Sequence, residues 1–134
     1  MLNSTGARYL LVGGYAVNFY GVSRSTGDMD VWIARDQENA ASVAAALQQF
    51  GFRSARAETL LEPDRVVRMG VPPLRLEILT SVSGVVFEDC YLRRETVVAN
   101  DTPVPLIHLD DLKRNKRAAG RLKDLADLEQ LGDA

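Results

Sequence analysis

With a single cysteine, Cys90, the 134-residue chain cannot close an internal disulfide. A small fold stapled by sulfur is excluded, and a reducing cytoplasm is the compartment that fits. No apolar run approaches the roughly 18–20 residues needed to cross a bilayer. The N-terminus, MLNSTGARYLLVGG, lacks a basic stretch followed by a long apolar one, so neither a membrane span nor a secretory signal is expected. Positive charge is not in excess: 16 Lys and Arg stand against 18 Asp and Glu, a formal net charge of −2, which argues against a duplex-wrapping protein. Neither GxxxxGK nor GxGxxG occurs, which removes the P-loop and the dinucleotide fingerprint. Repeats, low-complexity tracts and linkers are also missing, so one domain over 1–134 is expected.

The residues present alternate between strand and helix signals. ARYLLVGG reads as a buried strand stopped by glycines, and GYAVNFYG as a short helix ending at Gly21. VSRSTG is loop and MDVWIA is strand. RDQENAASVAAALQQFGF reads as a helix capped by Asp36 and closed at Gly51, with Ala40, Val43, Leu47 and Phe50 as its apolar stripe. RVVRMG and LRLEILT suggest a hairpin through Val71, Pro72 and Pro73. RRETVVA and TPVPLIH suggest another at Asn100–Asp101. SGVVFEDCY is compatible with a helix or a turn. From Leu109 to Leu131 the chain reads as helix broken near Gly120, with Leu122, Leu125, Leu128 and Leu131 as the core face. Together these elements predict an α/β domain: a mixed β-sheet flanked by helices, with a helical C-terminus.

Asp28 and Asp30 raise the chemical question, because they lie in an apolar strand. At i and i+2 they project from one face, while Met29, Val31 and Ile33 turn to the core side. Two adjacent carboxylates repel, and burial penalises both charged forms. A hard divalent cation, Mg²⁺ or Mn²⁺, relieves both penalties. Spacing alone is weak support, since Asp36/Glu38, Glu62/Asp64 and Asp127/Glu129 repeat it. The context carries more weight. Gly13-Gly14 closes the preceding strand and opens a helix, where backbone N–H groups can approach an anion. Phosphate cradle and carboxylate pair together suit a metal-bound nucleoside triphosphate. Phosphoryl chemistry on two metals calls for a further carboxylate, and Glu77, the lone acid of LRLEILT, is the candidate; the alternative is a water-facing edge-strand residue. KRNKRAAGRLKDLADL supplies Lys113, Arg114, Lys116, Arg117, Arg121 and Lys123 as triphosphate counter-charges or as a solvated helix face. Within it, Lys123 with Asp127 and Arg121 with Asp124 have ion-pair spacing.

LVGGYAV…FYGVSRSTGDMDVWI, then LEILTSVSG, then NKRAAGRLKDLADL resemble, in that order, the minimal nucleotidyltransferases of the DNA polymerase β superfamily. Within that superfamily the blocks resemble the AbiEii-like and MenT-like proteins of toxin–antitoxin and abortive-infection systems. The resemblance implies that Gly13 and Gly14 hold the triphosphate and that Asp28 and Asp30 form the metal-binding Asp-x-Asp, approached through Arg24 and Thr26. It also implies that Lys116, Arg121, Lys123 and Asp124 belong to a basic block near the nucleotide. Glu77 stands where the family usually carries Asp, a change that can displace the carboxylate by roughly an ångström. The implied activity is transfer of an NMP from an NTP to a hydroxyl of RNA, such as a tRNA 3′ end, or of a protein, with release of pyrophosphate. A cognate toxin or antitoxin is the implied protein partner. A non-catalytic protein that keeps the fold and acts by partner binding, such as an antitoxin, is the alternative.

Overall fold

The computed structural model describes residues 2–21, 28–71, 74–99 and 101–132. After a 3₁₀ turn at Asn3–Thr5, the chain runs β1 (Tyr9–Val12), α1 (Gly13–Phe19), β2 (Asp28–Ile33), α2 (Gln37–Gln49) and α3 (Ala57–Leu61). It continues through β3 (Val66–Val71), β4 (Leu74–Leu79), α4 (Phe87–Leu92), β5 (Glu95–Ala99), β6 (Thr102–Leu106), α5 (Leu109–Ala119) and α6 (Leu122–Gln130). The strands form one six-stranded sheet in the order β3-β4-β2-β1-β6-β5. Pairing is mixed: β2 runs parallel to β4 and β1 to β6, while the other neighbours are antiparallel. The segment SGVVFEDCY, compatible in sequence with a helix or a turn, enters α4 at Phe87, and the helix runs one residue past it to Leu92.

Each sheet face buries its own core. Tyr9, Val31, Ile33, Met69 and Ile78 pack with Ala40, Val43 and Leu47 of α2 and with Leu60 of α3. On the other face, Leu10, Val12, Trp32 and Leu106 pack with Ala16 and Val17 of α1, Phe87 and Cys90 of α4, and Leu112 of α5. The β-branched and aromatic content of β1 and β2 suits this two-sided burial. Helix α2 starts as expected: Asp36 accepts a hydrogen bond from Asn39 N at 2.8 Å. The buried Asn39 side chain accepts from Arg8 N and donates to Arg8 O and Ala34 O, tying α2 to the ends of β1 and β2. Among the described residues, no helix is long and apolar enough to cross a membrane.

Three expectations about buried faces need correction. Phe50 lies beyond the last turn of α2 as its C-cap and is 68% exposed, so the stripe ends at Leu47. Met29 sits near the start of β2, short of the α2 core, and is 39% exposed, whereas Val31 and Ile33 are buried. Leu122 and Leu125 face outward at 87% and 47% exposure. A spacing of three drifts off a 3.6-residue period, and α6 instead turns Asp124, Asp127 and Leu128 inward.

Candidate active site

Hydrogen-bonded register assembles one wall of the site. Val12 lies opposite Asp30, Asp30 opposite Glu77, and Glu77 opposite Arg68, while Asp28 lies opposite Arg75. Cross-strand partners share a face, so Asp30, Glu77 and Arg68 form a row across β2, β4 and β3. Internal β4 gives Glu77 no sheet edge to occupy. Its Oε1 accepts a hydrogen bond from Arg68 Nε at 2.7 Å, and Arg75 Nε lies 3.8 Å from Asp28 Oδ1. Where the chain leaves β1 it turns over this row. Gly13 has φ +69°, and a Cβ there would collide with Asp30 Oδ2, so both conformation and space demand glycine.

The facing wall comes from the α5–α6 corner. Gly120, at φ +66°, ends α5 and donates its N–H to Lys116 O. Residue Arg121 then caps α6. Fully buried Asp124 accepts from Lys116 Nζ at 3.2 Å, Arg121 Nε at 2.7 Å and Arg121 N at 3.2 Å. The buried Lys116 ammonium also lies 3.0 Å from Asp127 Oδ2. Thus Arg121 meets Asp124 as its spacing suggested, while Asp127 takes Lys116.

A cavity of about 740 Å³ lies between the walls. It is lined by Gly13, Gly14, Asp28, Asp30, Glu77, Lys116, Arg121 and Lys123, all singled out from sequence. Arg24 and Thr26 lie outside the described residues. Sequence reasoning missed the lining residues Arg68, Ser81, Ser83 and Asn115. Arg68 carried a signal: pairing RVVRMG with LRLEILT as the expected hairpin sets it opposite Glu77. The Asn115 amide donates to Ser83 O at 3.0 Å, so its place depends on how α5 docks on the loop after β4.

The electrostatics are uneven. Burial first, then a hydrogen bond with Glu77 and the charges of Glu77 and Asp28, push the Asp30 carboxyl up to about 7, against the pull of Lys116. Burial would also raise Glu77, yet hydrogen bonds from Arg68 and Asp30 outweigh it and hold Glu77 below the usual glutamate value. Asp30 Oδ1 is buried with no hydrogen-bond partner among the described residues. An orphaned carboxylate oxygen beside two further carboxylates suits a hard divalent cation. Among the described residues no three His, Cys, Asp or Glu side chains make a ready metal cage. Mg²⁺ does not need one, because it is commonly held by one or two carboxylates plus substrate phosphates.

Two solved structures share this architecture. One is an antigenic nucleotidyltransferase-like protein from Paracoccidioides brasiliensis, with TM-score 0.56 and 18% identity over 97% of this chain and 68% of that one. The other, from Thermotoga maritima, is provisionally named a nucleotidyltransferase; its TM-score is 0.56, at 14% identity over 92% of this chain and 80% of that one. The fold is nucleotidyltransferase-like. No family model matches the sequence, and no curated protein does. The nucleotidyltransferase-like sheet and helices carry the carboxylate row on β2 and β4 and the basic corner on α5 and α6.

Proposed function

We propose that the protein is a divalent-metal-dependent nucleotidyltransferase that moves an NMP from an NTP to a hydroxyl and releases pyrophosphate. The carrying observation is the meeting of Asp28, Asp30 and Glu77 with Gly13–Gly14 and a basic corner around one cavity. Asp28 and Asp30 hold Mg²⁺ or Mn²⁺, with Glu77 beside them. Once bound, the metal would supply Lewis-acid stabilisation of the phosphate oxygens and offset their charge. Gly13 and Gly14 let the backbone approach the triphosphate. Arg121 and Lys123 bring positive charge, and Lys116 is held beside them by Asp124 and Asp127. Kept ionised by Arg68, Glu77 can take the acceptor's proton while the acceptor oxygen bonds the α-phosphorus and the bond to the bridging oxygen breaks. RNA and protein hydroxyls both meet that requirement. The motif resemblance supports a toxin–antitoxin or abortive-infection setting with a cognate partner protein.

The test is incubation with α-labelled NTPs, Mg²⁺, and cell RNA and protein. Label should enter an acceptor with wild-type protein and fail to enter with Asp28→Asn or Asp30→Asn. A second reading, a partner-binding protein that retains the fold, is favoured by one observation: Glu77 and Asp28 each already face an arginine, which balances them without metal. Absence of Mg²⁺-dependent NTP binding at millimolar concentration would favour it.

A further inference from the structure

The geometry points to a second site beside the first: a cavity of about 310 Å³ at the outer edge of β3 that receives the end of a single-stranded RNA acceptor. The inference rests on the transfer reading and names its acceptor. Size places the cavity at the small end of ligand pockets. Leu47, Leu60 and Met69 form an apolar floor, Phe52 adds a ring, and Arg56 and Arg68 bring guanidinium groups. No acid lines it, although acids outnumber bases in the chain and three carboxylates line the larger cavity. Arg56 donates to Arg53 O at 3.0 Å and Ala55 O at 3.1 Å, which fixes the guanidinium on its own turn; among the described residues no acid pairs with it. An apolar surface with an aromatic ring suits a base, and Arg56, a guanidinium that no acid among the described residues opposes, suits phosphate, while Arg68 is shared with Glu77. A protein segment offering a serine or tyrosine hydroxyl would need neither arginine.

Arg68 connects this cavity to the reaction. It borders both cavities, and its Nε donates to Glu77 Oε1 at 2.7 Å. A terminal nucleotide lodged against Phe52 and Arg56 therefore has its path to the carboxylate row along one arginine. The triphosphate keeps the larger cavity, and the acceptor enters from the opposite side of Glu77.

Anisotropy of a short 5′-labelled single-stranded RNA, read at two salt concentrations, tests the inference. Arg56→Glu should weaken binding about tenfold or more. It should also lower the salt slope by roughly 0.7 per lost phosphate contact. Arg56→Gln, which can still donate to the turn carbonyls, should weaken binding less but in the same direction. Lys113→Glu makes the same charge change on α5 and should leave binding nearly unaltered. Unchanged binding in Arg56→Glu, no RNA binding by wild type, or transfer to protein that ignores Arg56 would overturn the site. Calorimetry with NTP and Mg²⁺ runs alongside. RNA binding that follows Arg56 without any NTP binding would uphold the strand site while removing the transferase reading.

Discussion

Asp124 at the start of α6 and Asp30 in β2 serve opposite walls of one cavity, and they are treated in opposite ways. Asp124 is fully buried yet receives Lys116 and Arg121, and these hydrogen bonds hold it below the usual aspartate value despite burial. Asp30 keeps a buried oxygen without a partner among the described residues, stands beside Glu77 and Asp28, and is pushed up to about 7. One carboxylate is spent on structure; the other is left unsatisfied at a cost to the fold. Buried polar groups are normally paired, so an orphan within a row of acids is where a ligand is wanted. Asp111 repeats the structural pattern: fully buried, it is bound by Arg93 at 2.9 Å and Arg114 at 2.7 Å.

The contrast can be broken from either side. The largest effect is expected from Asp124→Ala, which leaves Lys116 with Asp127 alone in a buried setting. Removing one partner of such a pair should cost about 3 kcal/mol in urea unfolding. A loss well under 1 kcal/mol would mean that the corner does not depend on it. Next comes Gly13→Ala, expected to cost about 2 kcal/mol because a left-handed backbone and a clash with Asp30 coincide. In the Asp30→Ala background that cost should shrink, and strict additivity would refute contact between the two positions.

A smaller gain is expected from Asp30→Asn. The folded Asp30 carboxyl titrates above its unfolded value of 3.8, at about 7. Its penalty is therefore absent below pH 4, grows as pH rises through that window, and is complete above 7. Without metal, the variant should gain on the order of 1 kcal/mol over wild type at pH 8, allowing for solvent screening, and nothing at pH 4. Glu77, Asp28, Arg68 and Lys116 face the same group and stay in place. A difference that does not change with pH would exclude the assignment. The smallest effect belongs to Lys123→Ala. Lys123 is exposed at the cavity wall, so NTP affinity should fall only a few-fold and recover toward wild type as salt rises, while Lys113→Ala changes nothing.

Much of this was legible in the sequence, for identifiable reasons. Alternating apolar runs and glycine stops located β1, α1, β2 and α2 to within about two residues at their ends, because local pattern and burial agree there. The glycine pair, the Asp-x-Asp and Glu77 could be read because each breaks a rule for buried strands. Faces decided by tertiary docking were less accessible. Leucine periodicity assigned Leu122 and Leu125 to the core, but α6 docks through Asp124 and Asp127 because Lys116 is waiting there. Arg68 was hidden for a different reason: cross-strand register, and not sequence distance, brings it to Glu77.

The most direct measurement is calorimetric titration of NTP at pH 8, with and without Mg²⁺, into wild type and into the Asp28→Asn, Asp30→Asn double variant. If the carboxylate row exists for a metal-bound triphosphate, wild type binds only when Mg²⁺ is present and the double variant does not bind, although it folds at least as stably. Equal Mg²⁺-dependent heats in the two proteins would contradict the account.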